Sequence, residues 1–357
     1  MSDVFNNTVI VLPSLNPDEK FEYVLSGLLS GGFKNIVIVN DGSDSDKLHY
    51  FKEASSHSEC TVLTHEVNLG KGRALKDAFI YIHDNFPGVN GVITIDGDGQ
   101  HLLKDIIACG QCMLDNPGKV IMGCRDFDLD IVPKKSRVGN KFTAFMFRFV
   151  CGIKLSDTQT GLRAIPYEYL ADFSEIIGER FDYETNMLLE MKKNNIGFIE
   201  QKIETVYEDE NKRSHYRPLR DSWRIFKVMF KFVLSSFAAQ IIDLGVFALA
   251  FSILGGTAVK AAELLSTVIA RIVSSVFNFV TNKKLVFKSK DSISNTVKRY
   301  YALCIPQMLV SAGLITLLNR ITGNSSAGLA TLFKCIVDFI LFLISYQIQR
   351  DWVFCDK

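Results

Sequence analysis

The chain has 357 residues, 48% of them hydrophobic, and a formal net charge of +1. Near-neutral charge excludes the strong basic excess that marks a nucleic-acid-binding protein. The length predicts two or three structural units, and hydropathy divides them: residues 1 to about 210 alternate polar and apolar stretches, whereas residues beyond about 230 carry long apolar segments.

The chain opens Met1-Ser2-Asp3 without a basic flank, and its apolar run Thr8–Leu12 is too short for the core of a signal peptide. That run reads as a first strand, so the soluble part is expected to begin in the cytoplasm. Further strands are predicted at Asn35–Val39, Thr61–Thr64, Gly91–Ile95 and Lys119–Met122, with helices around residues 18–30, 45–56, 71–84 and 103–115. Repeated β-α-β units predict a mostly parallel sheet with helices on both faces. Ligands of such sheets bind at the loops that follow the strands. Cys109-Gly110-Gln111-Cys112 has the spacing of a redox pair but lies inside a predicted helix, away from any strand-to-helix junction. It reads as structural, and no second pair completes a zinc site.

The loops carry the polar residues. Pro13-Ser14-Leu15-Asn16-Pro17 follows the first strand, and Asn40-Asp41-Gly42-Ser43-Asp44 the second. Asp41 reads either as a helix N-cap, which Ser43 or Asp44 could supply equally well, or as a carboxylate for a base or ribose. Asn68-Leu69-Gly70-Lys71-Gly72-Arg73 follows the third strand, where glycines let a backbone approach a ligand and a helix start favours anions. Asp96-Gly97-Asp98-Gly99-Gln100-His101 follows the fourth. Two carboxylates two residues apart can share one Mg²⁺ or Mn²⁺, with substrate phosphates completing the shell.

Each segment alone is an ordinary turn; together, in this order and each behind a predicted strand, they are far more specific. Asn-Asp-Gly-Ser, Asn-x-Gly-Lys-Gly and Asp-x-Asp-x-Gln resemble the family-2 glycosyltransferases with a GT-A fold. The likeness is strongest to the branch that includes dolichyl-phosphate mannose synthase and bactoprenol glucosyltransferase, and it covers residues 8–225. Gly123-Cys124-Arg125 matches the branch's Gly-Ser-Arg with Cys in place of Ser, and Ser136-Arg137-Val138-Gly139-Asn140-Lys141 opens the next helix. Asp157-Thr158-Gln159-Thr160-Gly161-Leu162-Arg163 and Phe181-Asp182-Tyr183-Glu184 match two later elements of the branch.

The resemblance implies a role at each position. Asp41 binds the nucleoside and Asp96 the donor's ribose or phosphate region, with Pro13, Asn16 and Asn68 beside them. Asp98 and Gln100 ligate Mg²⁺ or Mn²⁺, and Lys71 either faces the diphosphate or caps the edge of the site. Arg125, Arg137 and Lys141 receive the acceptor phosphate, unless Arg137 and Lys141 merely form a solvated basic face. Asp157 sits near the reacting centre, and Arg163 is there or pairs with a buried carboxylate. The implied reaction is attack by a lipid phosphate on the sugar's anomeric carbon, with the metal stabilising charge on the leaving nucleoside diphosphate. A phosphate monoester, with a second pKa of about 6, needs no strong base. Asp157 is therefore assigned a positioning and electrostatic role, with base catalysis as the alternative, and in-line displacement implies inversion.

At the junction, Lys212, Arg213, Arg217, Arg220, Arg224, Lys227 and Lys231 punctuate a stretch with Trp223, Phe226, Met229 and Phe230. This basic amphipathic segment, over residues 211–231, is expected to lie in the membrane interface. Lys212-Arg213-Ser214-His215-Tyr216 stands where relatives carry a mobile loop but departs from their Gly-x-Ser-Lys pattern. The soluble domain is thus drawn as residues 1–210 and the membrane domain as 232–357. Spans are predicted at 232–254, 261–282, 300–319 and 328–348, each close to the ~20 residues that cross a bilayer. Lys283, Lys284, Lys288, Lys290, Lys298 and Arg299 crowd one loop, so the positive-inside rule places both termini and the soluble domain in the cytoplasm. Asn282-Lys283-Lys284-Leu285-Val286-Phe287 parallels Gln349-Arg350-Asp351-Trp352-Val353-Phe354, which points to two two-span units. The region resembles GtrA-like membrane domains. Asp243, Arg271, Lys334 and Asp338 lie within or near the spans, either as structural pairs or along a headgroup pathway.

The expected whole is a four-span membrane enzyme, assembled as a homo-oligomer, that makes a lipid-linked sugar for cell-envelope glycosylation. UDP-glucose leads other UDP-hexoses and GDP-mannose as donor, and undecaprenyl phosphate is the expected acceptor. Two other readings are a nucleotide-sensing lipid carrier or flippase, and a processive polysaccharide synthase. The second fits less well because Gln347-Ile348-Gln349-Arg350 is followed by Asp351 and lies beyond the last span.

Overall fold

The computed structural model describes residues 2–204, 223–254, 259–322 and 327–355. They form two compact units, Met1–Ser222 and Trp223–Lys357. The Lys212–Tyr216 segment and the basic stretch up to residue 222 lie outside the described residues; from Trp223 onward the chain is helical.

In the first unit the strands are β1 (Thr8–Ser14), β2 (Ile36–Asn40), β3 (Cys60–Thr64), β4 (Gly91–Thr94), β5 (Val120–Arg125), β6 (Arg163–Pro166) and β7 (Phe198–Ile203). Their order across the sheet is β3-β2-β1-β4-β6-β5-β7. Neighbours pair parallel except at β6, which runs antiparallel to β4 and β5. The helices are α1 (Ser2–Asn6), α2 (Glu19–Ser30), α3 (Leu48–Ala54), α4 (Lys71–Asn85), α5 (Leu103–Asp115), α6 (Lys134–Met146), α7 (Leu170–Ser174) and α8 (Asp182–Lys193). The mostly parallel α/β sheet expected from the sequence is present, and the five predicted strands are β1 to β5.

The apolar runs explain the sheet's centre. β2 and β4 are buried along their whole length, as are Val9–Leu12 of β1, which is the pattern of strands covered on both faces. Phe21, Leu25 and Leu28 of α2 and Ile106, Cys109 and Met113 of α5 pack into this core. The Asp18 side chain caps α2 by accepting from Lys20 N at 3.1 Å. Cys109 and Cys112 fall inside α5, and burial pushes the Cys109 thiol far above its ordinary range, which suits a packing residue.

The second unit contains α9 (Trp223–Leu254), α10 (Val259–Thr281), α11 (Ile293–Ile321) and α12 (Ala327–Ile348). Four helical stretches are long and apolar enough to cross a membrane, Phe230–Leu254, Leu265–Val286, Ile293–Ile321 and Leu332–Val353, the second and fourth running past the ends of α10 and α12 into the turns that follow. α9 packs on α10 and α11 on α12, and each hairpin ends in a π-helical turn, Asn282–Val286 or Gln349–Val353. The two turns close alike: Phe287 N donates to Asn282 O at 2.9 Å, and Phe354 N to Gln349 O at 2.8 Å.

The ring contacts match as well. Phe232 packs on Phe287 of its own hairpin and Tyr346 of the other; Tyr300 packs on Phe354 of its own and Phe279 of the other. Asn282 Nδ2 donates to Gln349 Oε1 at 3.0 Å, and Phe287 stacks on Phe354 with centroids 5.2 Å apart. The sequence repeat is therefore a structural one, two hairpins related by a pseudo-two-fold that passes between Asn282 and Gln349. The charges in the spans pair within hairpins. Asp243 Oδ1 accepts from Ser274 Oγ at 2.9 Å with Arg271 Nε 3.7 Å away. Asp338 meets Lys334 at 2.8 Å and Ser311 at 2.6 Å.

Candidate active site

β1 sends the chain to β2 on one side and has β4 on the other, so a crevice opens at the strand ends where the sheet order reverses. The loops after β1, β2, β3 and β4 meet there. Asp41, at the end of β2, is 4% exposed and its carboxylate is fully engaged. Leu69 N donates to Oδ1 at 2.9 Å and Gly70 N to Oδ2 at 2.8 Å. His65 Nδ1 lies 2.8 Å from Oδ1, and its Nε2 lies 3.0 Å from Asp77 Oδ2. Asp41 thus pins the glycine loop, and neither it nor Ser43 or Asp44 caps the next helix with its side chain. Gly42, at φ +73, lets the two loops touch: a Cβ there would sit 2.2 Å from Val67 C. Asn16, at φ 50, ties the first loop to the second by donating from N to Ser43 Oγ at 2.8 Å and from Nδ2 to Asp44 Oδ2 at 2.8 Å. Pro13 pairs with Val39 in the sheet, and Asn68 is exposed at the rim of the glycine loop.

Asp96 stands at the centre. Lys71, the first residue of α4, reaches across to Asp96 Oδ1 at 2.7 Å and Glu184 Oε1 of α8 at 3.0 Å. Burial works against the Lys71 charge, but these two carboxylates outweigh it and hold the ammonium well above its ordinary pKa. For Asp96, burial works against the charge and Lys71 with His101 outweighs it, so the carboxyl stays far below the usual range. Lys71 therefore orients Asp96 from the start of α4. Gly161 lies against Asp96; a Cβ there would be 2.2 Å from Oδ2. Asp98, at the exposed lip, accepts from Gln100 N at 3.0 Å, and desolvation followed by the like charge of Asp96 raises its pKa.

The third cluster joins β5, α6 and the loop before β6. Asp157 is fully buried and grips Arg125: Nε donates to Oδ2 at 2.7 Å and Nη2 to Oδ1 at 3.2 Å. Gln159 N adds a bond to Oδ1 at 3.0 Å, and the Arg125 guanidinium lies 5.1 Å from the Phe127 ring centroid. Arg137 Nη2 donates to Leu129 O at 2.8 Å, and Lys141 Nζ meets Asp128 Oδ1 at 2.5 Å. The structure thus couples Arg125 to Asp157, while Arg137 and Lys141 stand together over the loop before α6. Asn140 Nδ2 donates to Ser156 O at 2.7 Å and so ties α6 to the Asp157 loop. On its open side α6 exposes Val138 (67%), Phe142 (50%) and Phe145 (58%), an apolar stripe beside those two cations.

Glycosyl transferase family 2 matches residues 9–174, and the GtrA/DPMS transmembrane domain matches residues 231–354. An uncharacterized protein of Methanocaldococcus jannaschii is 30% identical over 235 residues, covering 63% of this chain and 90% of that protein. The chain belongs to glycosyl transferase family 2. Two named relatives are similar to this glycosyltransferase. The UDP-N-acetylglucosamine–dolichyl-phosphate N-acetylglucosaminyltransferase of Methanococcus voltae is 27% identical, over 56% of this chain and 85% of its own length. Glycosyltransferase AglJ of Haloferax volcanii is 26% identical, over 62% and 70%.

Within this glycosyltransferase the structure brings together Lys71, Asp96, Glu184 and Gly161 through direct contacts that span the sequence, and Asp41 holds the glycine loop that leads into Lys71. Sequence reasoning missed His65, whose only local signal is a polar residue directly after a strand. Of the two readings of Arg163, a place near the reacting centre or a pairing with a buried carboxylate, the structure shows a structural role with different partners: the side chain is 1% exposed and donates to the carbonyls of Thr160 (3.2 Å) and Glu184 (3.1 Å). The motif arginine fastens the Asp157–Gly161 loop to α8.

Proposed function

We propose that this glycosyltransferase moves a single sugar from a nucleoside diphosphate sugar to a polyprenyl phosphate at the cytoplasmic face of the membrane. The observation that carries the acceptor half is α6. Its exposed apolar stripe suits the edge of a bilayer, and Arg137 and Lys141 beside it suit a phosphate at that depth. The cationic loop after α10 supports the cytoplasmic orientation of the enzyme and both termini. A UDP-sugar donor is supported by the name of the Methanococcus voltae relative, which puts N-acetylglucosamine beside glucose among sugars to test. Its dolichyl acceptor is likewise tested beside undecaprenyl phosphate. Assembly as a homo-oligomer belongs to the same reading.

Among the described residues no group of three or more His, Cys, Asp or Glu forms a metal cage. The oxygen donors of Asp98 and Gln100 fit Mg²⁺ or Mn²⁺ held jointly with the donor's phosphates, and a cation would relieve the repulsion between Asp98 and Asp96. When bound, that ion neutralises charge on the departing diphosphate. The chain's own residues do the positioning. The Asp41, Asn16 and Asn68 loops wall the nucleotide crevice, and Asp96 presents a fixed carboxylate to the donor. Arg137 and Lys141 hold the acceptor phosphate. A phosphate oxygen then bonds to the anomeric carbon, while the bond from that carbon to the diphosphate breaks and its electron pair leaves with the nucleotide. Inversion follows from this in-line geometry. Asp157, engaged on both oxygens, holds Arg125 in place.

Transfer of radiolabelled sugar by purified full-length protein tests this reading. UDP-glucose, UDP-galactose, UDP-N-acetylglucosamine and GDP-mannose are each supplied with both lipids, with Mg²⁺, Mn²⁺ or chelator. One donor is expected to label a lipid phosphate in the presence of metal, and Asp98→Ala to abolish the label; no labelled lipid with any donor would sink the proposal. A Phe142→Ser/Phe145→Ser variant is expected to lose at least about tenfold in kcat/KM for polyprenyl phosphate in liposomes, since full burial of a ring is worth about 1.5–3 kcal/mol and the bilayer edge supplies only part of that to each of the two. UDP binding by the same variant, measured by calorimetry, should be unchanged.

A further inference from the structure

One side chain of the donor loop has so far entered only as a neighbour of the Asp96 charge. His101 follows Gln100, its side chain is 8% exposed, and neither ring nitrogen has a hydrogen-bond partner among the described residues. Leaving a buried donor or acceptor unsatisfied costs about 1–3 kcal/mol, so an orphaned imidazole in a native site calls for an explanation. Asp96 supplies one. His101 Nε2 lies 3.6 Å from Asp96 Oδ2, while Lys71 holds the other oxygen, Oδ1, at 2.7 Å. Gly161 stands against Oδ2, leaving no space for a Cβ.

We propose that His101 is a positioning residue: together with Lys71 it clamps the Asp96 carboxylate from both oxygens and fixes it for the bound donor. A separation of 3.6 Å exceeds a hydrogen bond. Active-site hydrogen bonds are often long without substrate and tighten in the complex, and here a few tenths of an ångström suffice. Lys71 alone leaves the carboxylate free to rotate about the Oδ1 contact. The second contact removes that rotation, so Asp96 meets the donor already oriented. The inference rests on the reading of Asp96 as a donor-binding group.

The test is calorimetric binding of UDP to the detergent-purified full chain with Mn²⁺, alongside separate KM values for nucleotide sugar and polyprenyl phosphate. A glutamine amide nitrogen reaches the place of imidazole Nε2, whereas that of asparagine reaches the place of Nδ1. His101→Gln is expected to bind UDP within about threefold of wild type, and His101→Ala and His101→Asn to bind about tenfold more weakly. Donor KM should rise in step, with acceptor KM and the thermal midpoint unchanged. UDP binding by His101→Ala equal to wild type would overturn the clamp. So would His101→Asn outperforming His101→Gln, or weaker binding accompanied by a matching fall in thermal midpoint. A wild-type protein that transfers sugar while the variants behave in these ways would defeat the clamp alone. A wild type that binds no nucleoside diphosphate would defeat the donor reading and the clamp with it.

Discussion

Gly161→Ala is expected to lower kcat/KM about 100-fold while leaving the thermal midpoint close to wild type, because a displacement of about 1 Å at a reacting centre can cost that much. The new methyl group would stand 2.2 Å from Asp96 Oδ2 and 2.8 Å from its Cγ, so the carboxylate must move. Moving it breaks the 2.7 Å contact with Lys71, which then keeps only Glu184. Thr94 Oγ1 bonds to the Gly161 carbonyl at 2.8 Å and holds the backbone in place, so the side chain of Asp96 yields rather than the loop. Weaker UDP binding by calorimetry should accompany the lost rate. Wild-type kinetics in this variant would show that the position of Asp96 does not matter to transfer.

Asp157→Asn is expected to destabilise the catalytic unit by about 3 kcal/mol or more, the usual cost of leaving one member of a buried pair alone. Asparagine keeps the shape but removes the charge, and Arg125, with its side chain 21% exposed, loses both of its forked bonds to a carboxylate. Transfer should fall below detection as well. A double variant, Asp157→Leu/Arg125→Met, separates the two effects. Replacing a buried pair with apolar groups of similar volume is often neutral, so stability should return while activity stays lost. The melt is followed by circular dichroism on the full chain in detergent. Recovery of activity with stability would mean that the pair serves the fold alone.

The parts of this site that were legible in the sequence are those held by local chain geometry. Each strand of the first four is a short apolar run, each loop follows it directly, and the polar residues at the strand ends had only a few residues in which to sit. Lys71 was not legible in the same way. Its partners are Asp96 and Glu184, the latter 113 residues away, and nothing near Lys71 in sequence announces either. β6 escaped for a related reason. Arg163–Pro166 is a four-residue strand that gains definition only from its antiparallel register with β4 and β5, where Ala164 faces both Ile93 and Ile121. β7 was hidden by the polar run Glu200-Gln201-Lys202 in its middle, which an edge strand can carry. Arg125 and Asp157 were both found, yet their pairing was not, because each is equally at home opposite a phosphate or a nucleophile.

The two membrane hairpins have the anatomy of a dimer contained in one polypeptide. Contacts such as Asn282 with Gln349, or Phe287 with Phe354, join a position to its own counterpart, as residues on the axis of a symmetric pair must. A two-span ancestor that dimerised in parallel would have made every such contact with two identical chains. It would also have carried every charge in duplicate at one depth. Fusion lifts that restriction. Arg271 precedes Asn282 by the same interval at which Asp338 precedes Gln349, so a base in one half now occupies the place of an acid in the other. Identical subunits cannot present opposite charges at equivalent sites, and a duplicated chain can.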